Sequence, residues 1–113
     1  MSKTLTKEEL VRAAWLVELR RQGNRKCEGA YSRGTKVCAL GLLAEVAKLD
    51  WEDGSAPGMS AVGKLAGLTY YQSEQVAARN DGTFISLYGR CTLLPKHTFA
   101  EIANVVEGWF KKP

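Results

Sequence analysis

Histidine is almost missing from this chain: His97 stands alone among 113 residues. The other soft metal ligands are three cysteines, Cys27, Cys38 and Cys91, and no two of them have C-x-x-C spacing. A structural zinc centre needs four clustered Cys and His ligands, so no metal and no cofactor is expected. An odd cysteine count without paired spacing also argues against a disulfide framework. It points to reduced thiols and a cytoplasmic setting. No apolar run reaches the ~20 residues of a membrane-spanning helix. The opening MSKTLTKEEL has no apolar h-region, so no secretory signal is expected. Internal repeats, heptads, low-complexity tracts and complete catalytic or nucleotide-binding motifs are absent too. With no long linker, residues 1–113 read as a single domain.

What is present is an ordinary globular composition, 45% hydrophobic and 25% charged. A chain of this length buries a real core without staples. The most apolar stretch is TKVCALGLLAEVAKLD, residues 35–50. Wound as a helix, it is apolar almost all round, with Gly41, Glu45 and Lys48 on one narrow stripe. Such a helix is central, with neighbours on several sides. Thr35 is its expected N-cap, and Gly41 its expected point of close approach.

Around it, capping boxes mark helix starts at Thr6, Thr69 and Thr98, each followed three residues later by Glu or Gln. Helix 1 is predicted over 7–22, with Gly23 ending it. It carries two apolar faces, Leu10–Ala13–Ala14–Val17 and Val11–Trp15–Leu19. Two faces predict packing between neighbours, the alternative being one face offered to a partner. Residues 24–34 read as loop and short extended piece. WEDGSAPG, from Trp51, reads as an exposed loop with Trp51 folded back on the core. Short helices are predicted over 59–66 and 70–79, the second stopped by the turn tripeptide Asn80-Asp81-Gly82. TFISLYGRCTLLP, residues 83–95, reads as a small β-hairpin or flap. The last helix presents Phe99, Ile102, Ala103, Val105, Val106, Trp109 and Phe110 as one apolar stripe. The fold class is therefore mainly α, bordering on α+β: a compact domain of four to five helices around a central apolar helix, with a small β-hairpin.

Three ordered blocks resemble a known pattern: Cys38-Ala-Leu-Gly41-Leu-Leu-Ala-Glu45, Ala78-Arg-Asn80-Asp81, and Thr98-Phe99-Ala-Glu101-Ile102-Ala103 with Val106-Glu107. Together with Gly29-Ala30-Tyr31 upstream, they resemble a family of small uncharacterised bacteriophage and bacterial proteins sharing C-x-x-G, N-D and F-x-x-I-A blocks. The likeness covers roughly residues 27–107. It implies a phage-type context and brings no activity or site residue with it. Residues 82–97 depart from the pattern, being longer and richer in β-formers, as a recognition flap or an elaborated loop would be.

Charge is unevenly spread. Arg20, Arg21, Arg25, Lys26, Arg33 and Lys36 face a single acid, Glu28, within residues 20–36, and this +5 exceeds the chain's net +4. With Tyr31 among them, these cations form a candidate partner-binding surface for a phosphate backbone or an acidic protein face. The competing reading places Arg20 and Arg21 at a helix C-terminus, where cations suit the dipole, and the others in a solvated loop. Tyr70, Tyr71, Phe84 and Tyr88 are further anchor candidates, set against ordinary core packing, which is also expected for Trp15, Trp51 and Trp109. Cys38 at a helix start, with His97 and Asp81 or Asn80, is the one conceivable catalytic set. Free cysteines are more commonly small buried hydrophobes. The leading expectation is a non-enzymatic, phage-type protein that occupies a surface of a host or defence component. The alternatives are a nucleic-acid-binding accessory protein using residues 20–36 and a small cysteine-dependent hydrolase.

Overall fold

Three of the helices begin on the same device. Thr6, Thr69 and Thr98 each accept a hydrogen bond from the backbone N–H three residues on, while the Glu9, Gln72 or Glu101 side chain accepts from the threonine's own N–H. These reciprocal bonds satisfy two of the donors that every helix start leaves open. The computed structural model describes residues 4–27, 32–33, 36–49, 58–87 and 90–111. The expectations for Tyr31, Trp51, Tyr88 and most of the WEDGSAPG loop fall outside them.

Helix α1, Lys7–Arg21, is followed by a 3-10 turn at Gly23–Arg25. The short strands β1, Ser32–Arg33, and β2, Lys36–Val37, pair antiparallel. Helix α2 spans Ala39–Val46, α3 spans Met59–Lys64 and α4 spans Tyr70–Asp81. A second hairpin, β3 at Phe84–Leu87 and β4 at Arg90–Leu93, leads to α5 at Phe99–Phe110. Five helices and two small two-stranded sheets among the described residues make the chain mainly α.

The apolar stretch is central, as its sequence implies. Residues Ala39 to Ala44 are buried without interruption, and α2 packs against α1, α3 and α4. It is shorter than its apolar pattern. At its front, residues 36–37 pair as a strand and Cys38, not Thr35, is the N-cap. At its rear, Lys48 adopts a left-handed φ of 57° and the Leu49 N–H donates to the Ala44 carbonyl at 2.9 Å. That geometry closes a helix end. Gly41 is buried.

The core joins Trp15 and Leu19 of α1, Leu40, Leu42 and Leu43 of α2, Val62 of α3, Val76 of α4, and Phe99, Ile102 and Val106 of α5. Trp109 and Phe110 are half-buried against it. The Arg12 guanidinium lies 3.6 Å from the Phe110 ring centroid and donates to the Ala66 carbonyl at 3.1 Å. A cation over an aromatic face is attracted by the ring quadrupole, so this side chain ties α1 to α5 and to the end of α3.

Two expectations change. Helix α4 does not stop before Asn80; it runs through Asp81, and Gly82, at φ 71°, closes it. Helix α1 does not pack on both faces. Trp15 and Leu19 are buried, whereas Leu10 and Val17 are 55% and 54% exposed and Ala13 and Ala14 are exposed with them.

Candidate functional site

Four cations of the predicted basic surface, Arg20, Arg21, Arg25 and Lys26, have partners inside the fold. Arg25 makes a two-pronged pair with Glu45, Nη1 to Oε1 at 3.1 Å and Nη2 to Oε2 at 2.9 Å. Arg20 donates to Asn104 and to Glu107, and Arg21 donates to Glu18. Lys26 Nζ donates to the Asn80 carbonyl at 2.7 Å. Lys36 is exposed. Arg33 lies in β1, and its side chain, like Tyr31, is outside the described residues. Surface pairs of this kind contribute at most about 1 kcal/mol each. They nonetheless set carboxylates beside the cations, so a phosphate backbone would have to compete for Arg20, Arg21 and Arg25.

The candidate catalytic residues fall into two settings. Cys38 caps α2, its Sγ accepting from the Gly41 N–H at 3.3 Å. Burial pushes its thiol above the usual cysteine range, and the Gly41 and Leu40 N–H groups offset only part of that. Nearby Cys27 and Asp81 push it further in the same direction. An activated nucleophile needs the opposite shift. In the native chain, iodoacetamide at neutral pH should therefore label Cys38 far more slowly than the exposed Cys91. Equal labelling by peptide mass mapping would contradict this environment.

His97 is occupied elsewhere. Its Nδ1 lies at hydrogen-bond distance from the Pro95 carbonyl, and its Nε2 3.1 Å from Arg79 Nη1. A carbonyl only accepts and a guanidinium only donates. The neutral ring consistent with both carries its proton on Nδ1 and uses its Nε2 lone pair on Arg79.

Asn80 is the polar centre of this region. Its side chain is 1% exposed. Oδ1 accepts from the Ala39 N–H at 3.0 Å, and Nδ2 donates to the Cys27 carbonyl at 2.8 Å and to Asp81 Oδ1 at 2.9 Å. One amide thus caps α2 from another helix and holds the 26–27 segment against it. On the other side of Ala39, the Trp15 indole N–H donates to its carbonyl at 2.9 Å. Asn80 serves as a bracket between elements.

The β3–β4 hairpin differs in having an open outer face. Ile85 is buried and anchors β3, which packs on α4. Its neighbour Phe84 is 65% exposed and lies directly across from Leu93, 55% exposed. All four β4 residues are exposed. The Leu94 N–H donates to the Thr83 carbonyl at 3.0 Å. Alternation along an antiparallel ladder then puts Ile85–Thr92 and Leu87–Arg90 at the hydrogen-bonded positions. The N–H and C=O groups of Cys91 and Leu93 point to the outer edge, and among the described residues no third strand covers that edge. Phe84 was a candidate from sequence; Leu93 was not. The available signal was register, since a hairpin centred near Gly89 sets Phe84 opposite Leu93. Tyr70, 60% exposed, is another aromatic at the surface, and Tyr71 is half-buried.

Among the described residues, no group of three or more His, Cys, Asp or Glu side chains is placed to hold a metal ion, and no helix is long and apolar enough to cross a membrane. Comparison with protein-family models, with curated proteins and with solved structures found no match for this chain.

Proposed function

We propose that this chain is a non-enzymatic binding protein of phage type, which occupies a surface of a host or defence component through the outer side of the β3–β4 hairpin. The partner adds an extended segment along β4 and covers Phe84 and Leu93 with an apolar side chain. The observation that carries this reading is the exposed Phe84–Leu93 cross-strand pair beside a strand edge that no third strand covers among the described residues. Edge backbone groups supply affinity in strand addition, and alternate side chains supply selectivity. Large exposed apolar side chains at such an edge are a liability unless something covers them. The phage-type context rests on the resemblance in the three sequence blocks.

The geometry favours this over the alternatives. Nucleic-acid binding through residues 20–36 would use cations that already face Glu18, Glu45 and Glu107. Hydrolysis by Cys38 would start from a half-buried thiol with a raised pKa.

The test is a paired capture from host lysate. The double variant Phe84→Asp/Leu93→Asp changes exposed positions and should keep its circular dichroism and melting temperature close to the parent's. A partner held stoichiometrically by the parent should bind the variant at least about tenfold more weakly, the loss expected when apolar anchors are replaced by charge. A partner retained equally by both, or lost instead on Arg25→Glu/Lys26→Glu, would overturn the assignment of the surface.

A further inference from the structure

Cys27 and Cys38 lie side by side, in a place that takes no part in the hairpin surface. Lys26 and Val37 form a parallel bridge, and the Cys27 N–H donates to the Val37 carbonyl at 2.9 Å. Cys38 continues extended, at φ −83° and ψ 174°. One step along a parallel ladder sets Cys27 opposite Cys38, with both side chains on one face. Neighbouring strands run about 4.8 Å apart, within the roughly 4.4–6.8 Å that separates the Cα atoms of a disulfide.

Asn80 fixes that spacing a second time. Its Nδ2 donates to the Cys27 carbonyl, and its Oδ1 accepts from the N–H of Ala39, which shares a peptide bond with Cys38. The two ends of one amide thus hold the peptide groups of both cysteines. Both residues are half-buried, whereas Cys91 is exposed on β4. Burial, and with it the nearby Cys27 and Asp81, push the Cys38 thiol up. A disulfide is neutral, so it escapes the penalty that burial places on a thiolate.

We infer that Cys27 and Cys38 are a redox-active pair that closes to an intramolecular disulfide, stapling residue 27 to the start of α2. The oxidant is a small disulfide of the glutathione type. The Cys27 thiolate attacks one sulfur of oxidised glutathione, forming a mixed disulfide and releasing the first glutathione. Cys38 then loses its proton, and its sulfur attacks Cys27 Sγ. The bond between Cys27 and glutathione breaks, and the second glutathione leaves. Two cysteine thiols are oxidised, one glutathione disulfide is reduced, and the two protons end on the released thiols. Cys38 acts second because a raised thiol is the slower one to present a thiolate. The link closes the loop of residues 28–37, which restricts the unfolded chain and favours the folded one.

The test uses the full chain carrying Cys91→Ser, so that only the pair reacts. With oxidised glutathione at neutral pH under native conditions, the protein should become two hydrogen atoms lighter and remain a single chain. Peptide mapping should join Cys27 to Cys38. The melting temperature should rise by about 5 °C or more and return to its starting value with dithiothreitol. In the same background, Cys38→Ser should stop at the mixed disulfide on Cys27. Cys27→Ser should take up glutathione about tenfold more slowly, as the less available thiolate at Cys38 requires. Stable glutathione adducts on both cysteines without a link, two unmodified thiols at equilibrium, a link that forms only between chains, or a lowered melting temperature would each overturn the inference. These outcomes are independent of any partner at the hairpin.

Discussion

Asn80→Ala should destabilise the fold by about 3–5 kcal/mol. The amide is buried and bonds three groups, the Ala39 N–H, the Cys27 carbonyl and Asp81 Oδ1. Alanine removes the Asn80 partner of the first two, the Ala39 N–H in a buried place and the Cys27 carbonyl in a part-buried one. Each orphaned buried group costs about 1–3 kcal/mol, and the side chain's packing is lost as well. Domains of this size have only about 5–15 kcal/mol in total, so the variant should approach the unfolding threshold at 37 °C. Urea titration followed by circular dichroism measures it, and a loss below about 1 kcal/mol would contradict the bracket. Asn80→Asp separates hydrogen bonding from shape. The carboxylate keeps an acceptor for Ala39 but loses the donor that Cys27 receives, and it stands beside Asp81. Burial and that neighbour raise its folded pKa above the unfolded value of about 3.9. The folded state then holds the extra proton. The variant should be at its best, relative to parent, at low pH, and should lose stability as pH rises through that window.

Gly63→Ala should cost about as much, for a steric reason. A Cβ at Gly63 would sit 1.8 Å from Ser73 Oγ and 2.9 Å from Ser73 Cβ. Both residues are buried where α3 meets α4, and the Ser73 hydroxyl is held by the Thr69 carbonyl at 3.0 Å. No rotation of Ser73 relieves a clash that includes its Cβ, so the helices must part. Overpacking of this kind costs about 1–3 kcal/mol and more where backbone must move; the upper end, about 3 kcal/mol, is expected here. Ser73→Ala removes the closer contact and should rescue part of the loss, because the Cβ remains at 2.9 Å. Ser73→Gly removes both atoms and should restore most of the stability, less about 1 kcal/mol for a glycine inside a helix. A Gly63→Ala protein that melts like the parent, or one rescued equally by either Ser73 change, would refute the close approach.

Much of this architecture was legible in the sequence because it rests on local chemistry. The threonine capping boxes of α1, α4 and α5 lie within four consecutive residues each, and Phe99, Ile102 and Val106 repeat at helical spacing. What escaped is non-local. Nothing near Cys38 indicates that its helix start is completed by an amide forty-one residues on. That amide, and the pairing of residues 36–37 with β1, shorten α2 relative to its apolar pattern. Periodicity gave α1 two apolar faces but could not say which one the fold covers, since that depends on where α2 and α5 dock. Likewise, the cluster of cations at residues 20–36 is visible in the chain, whereas Glu45 and Glu107 meet it only after folding. Leu93 emerged as a candidate only once the hairpin register placed it across from Phe84.

The hairpin edge is the proposed binding surface, and amide hydrogen exchange on the captured complex tests it most directly. In the chain alone, the outward N–H groups of Cys91 and Leu93 should exchange fast, and that of Thr92, bonded across to β3, more slowly. In the complex, Cys91 and Leu93 should become protected while residues 20–26 stay unchanged. Protection centred on residues 20–26, with Cys91 and Leu93 still exchanging fast, would contradict the account.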